Sequence, residues 1–274
     1  MKIAEVRKLT PQERFLYWIE EREAIRLCRE KGKPKPWTDD EILQQYRFCN
    51  VRRMDDTVSR WLLDNWYKPN YDHHNIVLAC ALGRFINLPS SLEAIGFPYF
   101  WDPTRVKDVL HKQTKVFNAA YIVSTNGVSG DKVDIVIDSH IKPLRTLSVP
   151  TSSMQEACKV LTSSKGVGTF MAGQIVADLR WACGGQGSWR DRLKWAPIGP
   201  GSRRGANRLL GRDIKDSEFG SVLTDVISLC RTCLRRGIVD RLEAIDYQNC
   251  LCEFDKFERT LHGEGRPKRK YNGV

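Results

Sequence analysis

Apolar and polar positions alternate with a helical period along most of this 274-residue chain. Residues 10–30 predict an amphipathic helix, with Thr10 as its N-cap and Pro11 in its first turn. The same periodicity predicts four further helices, at His74–Ile86, Ser90–Ile95, Thr104–Asn118 and Met154–Leu161. The pattern therefore indicates a fold that is mainly α.

The stretch Glu41–Leu63 places polar residues inside a predicted apolar face. Its spacing predicts one helix, because apolar side chains recur at intervals of three, four and seven, namely Leu43, Val51, Met54, Val58, Trp61 and Leu62. At about 100° per residue, Gln44, Arg47 and Asp55 lie within or beside that face. Burying Arg47 and Asp55 costs several kcal/mol unless partners satisfy them. We therefore expect a functional site here, with polar groups that cap neighbouring helices as the alternative.

The far face of this predicted helix carries Arg52, Asp56 and Arg60 at i,i+4 spacing, which is typical of solvated ion pairs. The pattern then changes at Ala120–Ile141, where AYIVS and VDIVID are two β-type runs around a turn-rich loop. These runs predict a small β-hairpin insertion. Helix is predicted again beyond it, except at Gly184–Gly205. A single fold and two helical lobes around a cleft both fit this order.

Charge is the main compositional signal. The chain has 44 basic and 33 acidic residues, a net charge of +11, which suits a polyanionic partner such as nucleic acid. The predicted basic C-terminal tail, residues 264–274, contains RPKRK at Arg266–Lys270, and a disordered solubilising end is the alternative. No stretch approaches the roughly 18 apolar residues of a membrane span, and the N-terminus lacks a signal-peptide core. We therefore expect a cytosolic protein.

Nine cysteines in such a protein are expected to be reduced thiols. Two pairs, Cys230-x-x-Cys233 and Cys250-x-Cys252, could in principle hold zinc or an iron–sulfur cluster. Both pairs fall in predicted helices that lack the turns of a zinc knuckle, so buried helical cysteines are the preferred interpretation. No metal is predicted. His73-His74 is interpreted as a helix start, and no catalytic histidine is assigned.

The segment Val160–Arg180 carries the clearest local motif. One helix is predicted to end at SSKGVG and a second to begin at Thr169, which is the helix–hairpin–helix pattern. Glycines there let the backbone approach a DNA phosphate, and the second helix offers free N–H groups to that anion. Such contacts position DNA without reading its sequence. A plain turn with a glycine cap is the alternative. The predicted DNA-binding residues are Lys165, Gly166, Val167, Gly168 and Thr169.

The GVG hairpin and the earlier helix that begins ILQQ resemble the helix–hairpin–helix DNA glycosylases, which flip a base into a cleft between two helical lobes. The resemblance implies a glycosylase-like helical fold. In that family a catalytic aspartate follows the hairpin, within a V-D-T-H segment. Here the similar Ile137-Asp138-Ser139-His140 precedes the hairpin, so the catalytic role is not carried onto Asp138.

A closer resemblance spans nearly the whole chain. The segments PWTDDEILQQYRFCNVRRMDDTVSRWL, FNAAYIV, KGVGTFMAGQIVADL, IGPGSRRGANRLLG and NCLCEFDKFER resemble, in order, the phage α-glutamyl/putrescinyl thymine pyrophosphorylases, or amino acid:DNA transferases. The same helical module resembles the one attached to phage 5-hydroxymethyluracil DNA kinases. The chain has no GxxxxGK[ST] phosphate loop, so it is not expected to be the kinase.

The resemblance implies action on double-stranded phage DNA that carries phosphorylated 5-hydroxymethyluracil. An amino acid or polyamine would displace phosphate or pyrophosphate and leave a hypermodified thymine that protects viral DNA from host restriction. The expected setting is the cytoplasm of the infected host, with functional coupling to a 5-hydroxymethyluracil DNA kinase and without a cofactor. Glycine, glutamate, serine and putrescine are all candidate donors. Direct displacement and elimination followed by addition both remain open routes.

This chemistry needs cations for the leaving group and a carboxylate that takes a proton from the amine. The candidate bases are Asp55, Asp178 and Glu253. A salt bridge from Asp178 to Arg180 or Arg212 is the alternative there. The candidate substrate- and phosphate-binding residues are Gln44, Arg47, Asn50, Arg52, Arg53, Arg203, Lys256 and Arg259.

Three further interpretations stay open for parts of this set. Asn50 could read the edge of an everted pyrimidine. Cys252, Lys256 and Arg259 share one helical face, which is equally typical of a surface ion-paired helix, and a covalent role for Cys252 ranks low. The segment 199–201, Gly-Pro-Gly, predicts either an anion-binding loop or a structural turn.

Three other functions compete with the transferase. A glycosylase that excises a modified base would generate abasic sites. A non-catalytic DNA-binding module would bind DNA and tolerate loss of Asp55 or Asp178. An RNA-directed enzyme is disfavoured by the helix–hairpin–helix pattern.

Overall fold

The computed structural model describes residues 2–118, 123–125, 127–183, 189–265, 267, 270 and 271. Within these ranges the regular structure is helical, apart from one isolated antiparallel bridge between Tyr46 and Lys270. The fold is mainly α, as the sequence predicted. In chain order the α-helices are α1 (Ile3–Val6), α2 (Pro11–Glu30), α3 (Glu41–Gln45), α4 (Thr57–Trp61), α5 (Ile76–Ile86), α6 (Pro89–Ile95), α7 (Pro103–His111), α8 (Lys132–Asp134), α9 (Met154–Thr162), α10 (Thr169–Ala182), α11 (Pro200–Leu210), α12 (Phe219–Cys233), α13 (Arg236–Val239) and α14 (Ala244–Leu261).

The chain divides into two compact units, Met1–Asp56 with Leu193–Val274, and Thr57–Arg192. In the first unit α14 is the central helix and packs against α2, α3, α11 and α12. Aromatic rings fill these contacts edge to face: Phe15 meets Phe254 at 5.2 Å between ring centroids. Such ring pairs contribute about 0.5–1.5 kcal/mol beyond the area they bury. The side chains of α14 therefore meet four other helices.

Glycines let α11 approach α14 closely. A Cβ at Gly205 would lie 1.9 Å from the backbone oxygen of Leu251, and one at Gly201 would lie 2.3 Å from Cys252 Sγ. Backbone atoms cannot move away from a Cβ at Gly205, so that position requires glycine, whereas a Cβ at Gly201, one helical turn earlier, would require the Cys252 side chain to shift. The segment IGPGSRRGANRLLG therefore packs directly onto the segment NCLCEFDKFER.

In the second unit α5 is buried at every residue except Val77 and packs against α10. A helix that is apolar all round is expected in a core rather than at a surface. Short π-helical segments follow α4 and α8, at Leu62–Tyr67 and Ile135–Ile141. None of the described helices is long and apolar enough to cross a membrane.

Several predicted helices are confirmed. Thr10 Oγ1 accepts a hydrogen bond from the Glu13 N–H at 3.3 Å, so α2 begins where the capping residues predicted. Ser153 caps α9 in the same way. α5 and α6 fall within two residues of their predicted bounds, but α7 ends at His111 instead of continuing to residue 118. α11 begins at Pro200, inside the stretch that was predicted to be non-helical.

The prediction of a single helix over Glu41–Leu63 is wrong. α3 ends at Gln45, an extended stretch follows, a 3₁₀ turn covers Arg53–Asp55, and α4 begins at Thr57. Tertiary partners take the backbone groups that a continuous helix would have used. Arg22 on α2 donates to the backbone oxygens of residues 48 and 49 at 3.2 and 3.1 Å. Burial of these partners outweighs the local periodicity.

The predicted β-hairpin is also wrong in its second run. Asp131 caps α8 by accepting the Val133 N–H at 2.7 Å, and the VDIVID residues then continue as helix to Ile141. A short apolar run cannot distinguish strand from helix, and the aspartate cap is the signal that the pattern missed. Of the first run, residues 120–122 lie outside the described residues.

Part of the predicted basic tail pairs with the first unit. The Tyr271 N–H donates to the backbone oxygen of Gln45 at 3.1 Å, next to the bridge between Tyr46 and Lys270. The Tyr271 ring also packs against Trp37, with 5.7 Å between centroids. The other basic residues of the tail, at positions 266, 268 and 269, lie outside the described residues.

Candidate functional site

The first unit gathers charged side chains against one face of α14. Glu253 is 2% exposed, and its Oε2 accepts a hydrogen bond from the Cys49 N–H at 3.1 Å. Lys256 Nζ donates to Oε1 of the same carboxylate. The Lys256 side chain as a whole keeps 34% of its exposure. The structure thus places a buried carboxylate beside a partly exposed lysine.

Burial and charge set the protonation of these groups. Burial alone would lower the pKa of Lys256, but the Glu253 carboxylate raises that pKa overall, so the ammonium stays charged. Burial raises the pKa of Cys252 to about 11, with Glu253 adding to the effect. Burial likewise raises the pKa of Cys49 well above its usual value. Both thiols are protonated at neutral pH, which disfavours a nucleophilic cysteine.

Asp56 is the residue that the sequence interpretation missed. It does not sit on a solvated helical face: its Oδ1 accepts the Asn50 N–H at 2.8 Å. Burial raises the pKa of Asp56 to about 6; the Asn50 hydrogen bond lowers it, and nearby Glu253 raises it. A carboxylate with such a pKa suits a general base near neutral pH. Tertiary contacts alone identify Asp56 as a candidate base, because its spacing in the sequence is the same as that of a solvent-exposed acidic residue.

Asp55 is buried, as predicted, and several cations surround its carboxylate. Arg241 Nη2 donates to Oδ2 at 2.7 Å, Arg26 Nε lies 3.4 Å from Oδ2, and Arg52 Nη1 lies 3.3 Å from Oδ1. Arg26 and Arg241 also form ion pairs with Glu23. This arrangement satisfies the buried charge of Asp55, which therefore belongs to an ion-pair network. A catalytic role for Asp55 stays a prediction.

Arg53 offers a buried guanidinium edge. Its backbone N–H donates to Asp246 Oδ1 at 2.7 Å, and the residue is 5% exposed. Nε and Nη2 of its side chain have no hydrogen-bond partner among the described residues. These two atoms form the edge that binds a carboxylate or phosphate with two parallel hydrogen bonds. A buried donor edge of this kind is a feature expected of an anion site.

The two candidate amides already have protein partners. Asn50 Oδ1 accepts from Arg22 Nη2 at 2.8 Å, and its Nδ2 donates to the Asp55 backbone oxygen at 2.7 Å. Gln44 Nε2 donates to the Thr38 backbone oxygen at 2.7 Å. Reading a base edge would require these hydrogen bonds to exchange.

Two of the candidate arginines lie at the surface. The sequence predicted a buried Arg47, and this is wrong: the residue is exposed in the extended stretch after α3, and its guanidinium lies 5.2 Å from the Tyr271 ring centroid. Arg203 Nη1 lies 3.2 Å from Asp216 Oδ1, and both side chains are about half or more exposed. Of the residues in the first unit, Lys256 and Asp56 lie close to Glu253, and Asn50 and Arg53 lie close to Asp56.

Asp178 lies in the second unit and is fully buried. Arg84 Nε donates to its Oδ2 at 2.6 Å and Arg84 Nη2 to its Oδ1 at 2.5 Å, while Tyr67 Oη donates to Oδ2 at 2.5 Å. The salt-bridge alternative named Arg180 or Arg212, whereas the cation that holds the carboxylate is Arg84. The local spacing gave no sign of a partner 94 positions away.

The turn between α9 and α10 has the bounds that the sequence predicted. Gly166 has φ of +90°, and a Cβ there would lie 2.1 Å from His140 Nδ1, so only glycine fits. Gly168 is exposed, is the N-cap of α10 and has open space around it. Lys165 and Thr169 are exposed, whereas Val167 is buried. The exposed backbone at the start of α10 could receive a phosphate, and DNA binding here stays a prediction.

One group among the described residues has the composition of a metal site. His111, Asp131 and Asp134 place ligand atoms within 4.8 Å of one another, at or near the surface. Asp131 already caps α8, and Lys107 Nζ lies 3.9 Å from Asp134. An exposed polar cluster with its own cation accounts for this group.

From residue 11 to residue 266 the chain matches the family described as "5-hmdU DNA kinase, helical domain", and it belongs to that family. The predicted resemblance to the kinase-attached module is thereby confirmed. Among curated proteins, the 5-hmdU DNA kinase of Bacillus phage SP10 is 28% identical where the two align, and the match covers 64% of this chain and 32% of that protein. The chain thus spans about a third of its relative's length. No solved structure matches it.

Proposed function

We propose that this protein is an amino acid- or polyamine:DNA transferase that acts on phage DNA carrying phosphorylated 5-hydroxymethyluracil. Membership in a family named after 5-hmdU DNA kinases supports the choice of base. One observation carries the reaction type: Asp56, with a pKa of about 6, lies near the pair of Glu253 and Lys256. That set supplies a proton acceptor and a cation for a leaving phosphate.

In the proposed reaction the amine nitrogen attacks the 5-methylene carbon, and the carbon–oxygen bond breaks so that phosphate or pyrophosphate leaves with the electron pair. The amine proton passes to a carboxylate, for which Asp56 has the most suitable pKa. Glu253 is the second candidate, ahead of Asp55 and Asp178, whose oxygens already face arginines. Elimination to a methide followed by amine addition would use the same base and the same cations.

The leaving group would be held by Lys256 and by the unpartnered edge of Arg53. Cationic donors aimed at developing phosphate charge typically contribute a factor of about 10²–10³ to the rate. Lys256 remains charged across the neutral range because Glu253 raises its pKa. The other proposed substrate- and phosphate-binding residues are Gln44, Arg47, Asn50, Arg52, Arg203 and Arg259.

DNA would be positioned through the turn at residues 165–169, where exposed Lys165 and Thr169 and the N–H groups at the start of α10 meet a phosphate. The target base would be flipped out of the duplex to reach the reacting groups. The expected product is a hypermodified thymine that shields viral DNA from restriction in the host cytoplasm, after a 5-hydroxymethyluracil DNA kinase has prepared the substrate.

Mass spectrometry of nucleosides tests the proposal. Duplex DNA containing 5-phosphomethyluracil is incubated with the protein and a mixture of amino acids and putrescine, then digested. A new nucleoside with the mass of thymidine joined to one donor supports transfer and identifies the donor. Free base with abasic sites would establish a glycosylase, and unchanged DNA that is nevertheless bound tightly would leave a binding module. A matched RNA substrate tests the RNA-directed alternative.

A further inference from the structure

A buried carboxylate on α14 organises three arginines of the first unit. The Asp255 side chain is 1% exposed. Its Oδ2 accepts from Arg204 Nε at 2.9 Å and lies 3.3 Å from Arg259 Nε, and its Oδ1 accepts from Arg208 Nε at 2.9 Å. One carboxylate therefore holds Arg204 and Arg208 by hydrogen bonds and Arg259 by an ion pair without a hydrogen bond.

Helix geometry explains how these groups meet. Arg204 and Arg208 are four residues apart on α11, and Asp255 and Arg259 are four residues apart on α14, so each pair shares a helical face. Gly205, which lies between the two arginines of α11, allows the close approach to α14 described above. The arginines thus occur where two tightly packed helices meet.

The charges around Asp255 do not balance. Glu264 pairs with Arg208, and that hydrogen bond lowers the pKa of Glu264, so it is ionised at neutral pH. Among the described residues, two carboxylates then face three guanidinium groups. The side chains of Arg204 and Arg259 remain 54% and 37% exposed. Each of these two arginines meets Asp255 through its Nε, and among the described residues the Nη groups of Arg204 make no hydrogen bond.

We propose that Arg204 and Arg259 form a phosphate clamp, with Asp255 as the residue that positions them and Arg208 as its second support. A guanidinium group binds phosphate through parallel charge-assisted hydrogen bonds. Because a buried carboxylate already restricts the arginine rotamers, less conformational entropy is lost when phosphate binds. The phosphate belongs to DNA, either as a backbone diester or as the monoester on the modified base. This assignment rests on the proposed function for its choice of DNA.

The test measures DNA affinity against salt concentration by fluorescence anisotropy, for the wild type, Arg204→Gln and Arg259→Gln. Two duplexes are compared, one unmodified and one containing 5-phosphomethyluracil. Arg212→Gln is the matched control. Arg212 lies two residues beyond the end of α11, its side chain is 54% exposed, and it pairs with the surface residue Glu218. Loss of one phosphate contact is expected to reduce the slope of log K against log salt by about 0.9.

The clamp predicts a reduced slope in both clamp variants and an unchanged slope in Arg212→Gln. An equal loss on the two duplexes identifies a backbone phosphate, and a loss confined to the modified duplex identifies the phosphate on the base. Arg204→Lys should regain the charge but not the paired hydrogen bonds, and so recover only part of the affinity.

The clamp is overturned if both clamp variants have the same slope of log K against log salt as the wild type. It is also overturned if the wild type does not bind DNA. Thermal unfolding of each variant checks that the fold is retained. If the clamp variants lose affinity while the wild type transfers no amine, the clamp stands and the proposed transferase fails. If transfer proceeds and the slopes do not change, the transferase stands and the clamp fails.

Discussion

Arg84 and Asp178 form a bidentate ion pair inside the second unit. Nε and Nη2 of the arginine donate to the two carboxylate oxygens at 2.6 and 2.5 Å, and the two side chains are 2% and 0% exposed. Tyr67 Oη donates to the same carboxylate at 2.5 Å, and burial raises the pKa of this phenol well above its usual value, so the hydroxyl keeps its proton. The pair links α5 to α10.

Asp178→Asn is expected to destabilise the protein by about 3–5 kcal/mol, because it leaves the Arg84 charge buried without its counterion. Urea unfolding followed by circular dichroism measures this loss. The double variant Arg84→Met with Asp178→Leu should be less destabilised than Asp178→Asn, since it removes both charges together. A variant Asp178→Asn that unfolds like the wild type yet transfers no amine would instead make Asp178 catalytic.

The pH dependence of kcat/KM should identify the general base. With Asp56 as the base, kcat/KM rises through an apparent pKa of about 6 on the acidic limb, because only the carboxylate form accepts the proton. Asp56→Asn should abolish that limb and lower the rate by a factor of about 10²–10⁴.

The matched control for this profile is Asp55→Asn, at the neighbouring position, whose carboxylate is held by Arg241 at 2.7 Å. This variant should keep the acidic limb even where its overall rate falls. If Asp56→Asn keeps both the rate and the limb, the base lies elsewhere, and Glu253→Gln is the next variant to measure.

Stability should also report on Asp56. Its pKa rises from 3.8 to about 6 in the native state, so between these values the native protein binds a proton that the unfolded chain does not. That contribution is fully present below pH 3.8 and is lost as the pH rises through about 6. On acidification from pH 7 to pH 4, the wild type should therefore gain on the order of 2 kcal/mol relative to Asp56→Asn. If the free energy of unfolding depends on pH in the same way for both proteins, the pKa of Asp56 is not raised in the native state.

Local signals were enough to predict much of the fold. The cap at Thr10, the periodicity of Met154–Leu161 and the glycine turn before Thr169 predicted helix bounds that the structure confirms. Prediction failed where long-range partners replace local hydrogen bonds. Arg22 on α2 binds the backbone at residues 48 and 49, so the apolar periodicity of Glu41–Leu63 does not produce one helix.

The sequence predicted several residues of the candidate site but not which residues they contact. Buried Asp55 was named from helical spacing, and Glu253 and Lys256 were named from the resemblance of their segment to the transferase family. Asp56 could not be named in either way, because its raised pKa comes from burial and from Glu253, nearly 200 positions along the chain. The partner of Asp178 was likewise set by how α5 packs on α10.

The turn between α9 and α10 provides a test that separates folding from DNA contact. Gly166→Val should disturb the protein itself, because φ of +90° disfavours a side chain and the new Cβ would meet His140. A cost of about 1–3 kcal/mol is expected for such strain. Gly168→Ala is the matched variant, since a Cβ there meets nothing within 4 Å.

If the backbone at the start of α10 contacts a DNA phosphate, Gly168→Ala should keep the unfolding free energy of the wild type and still weaken DNA binding, because its methyl group blocks close approach of the phosphate. The loss should be similar for duplexes of different sequence, since phosphate contacts carry no base information. Anisotropy titrations with two unrelated duplexes measure it. Full affinity in Gly168→Ala together with weak binding in Gly166→Val would mean that the glycines shape the turn and do not receive DNA.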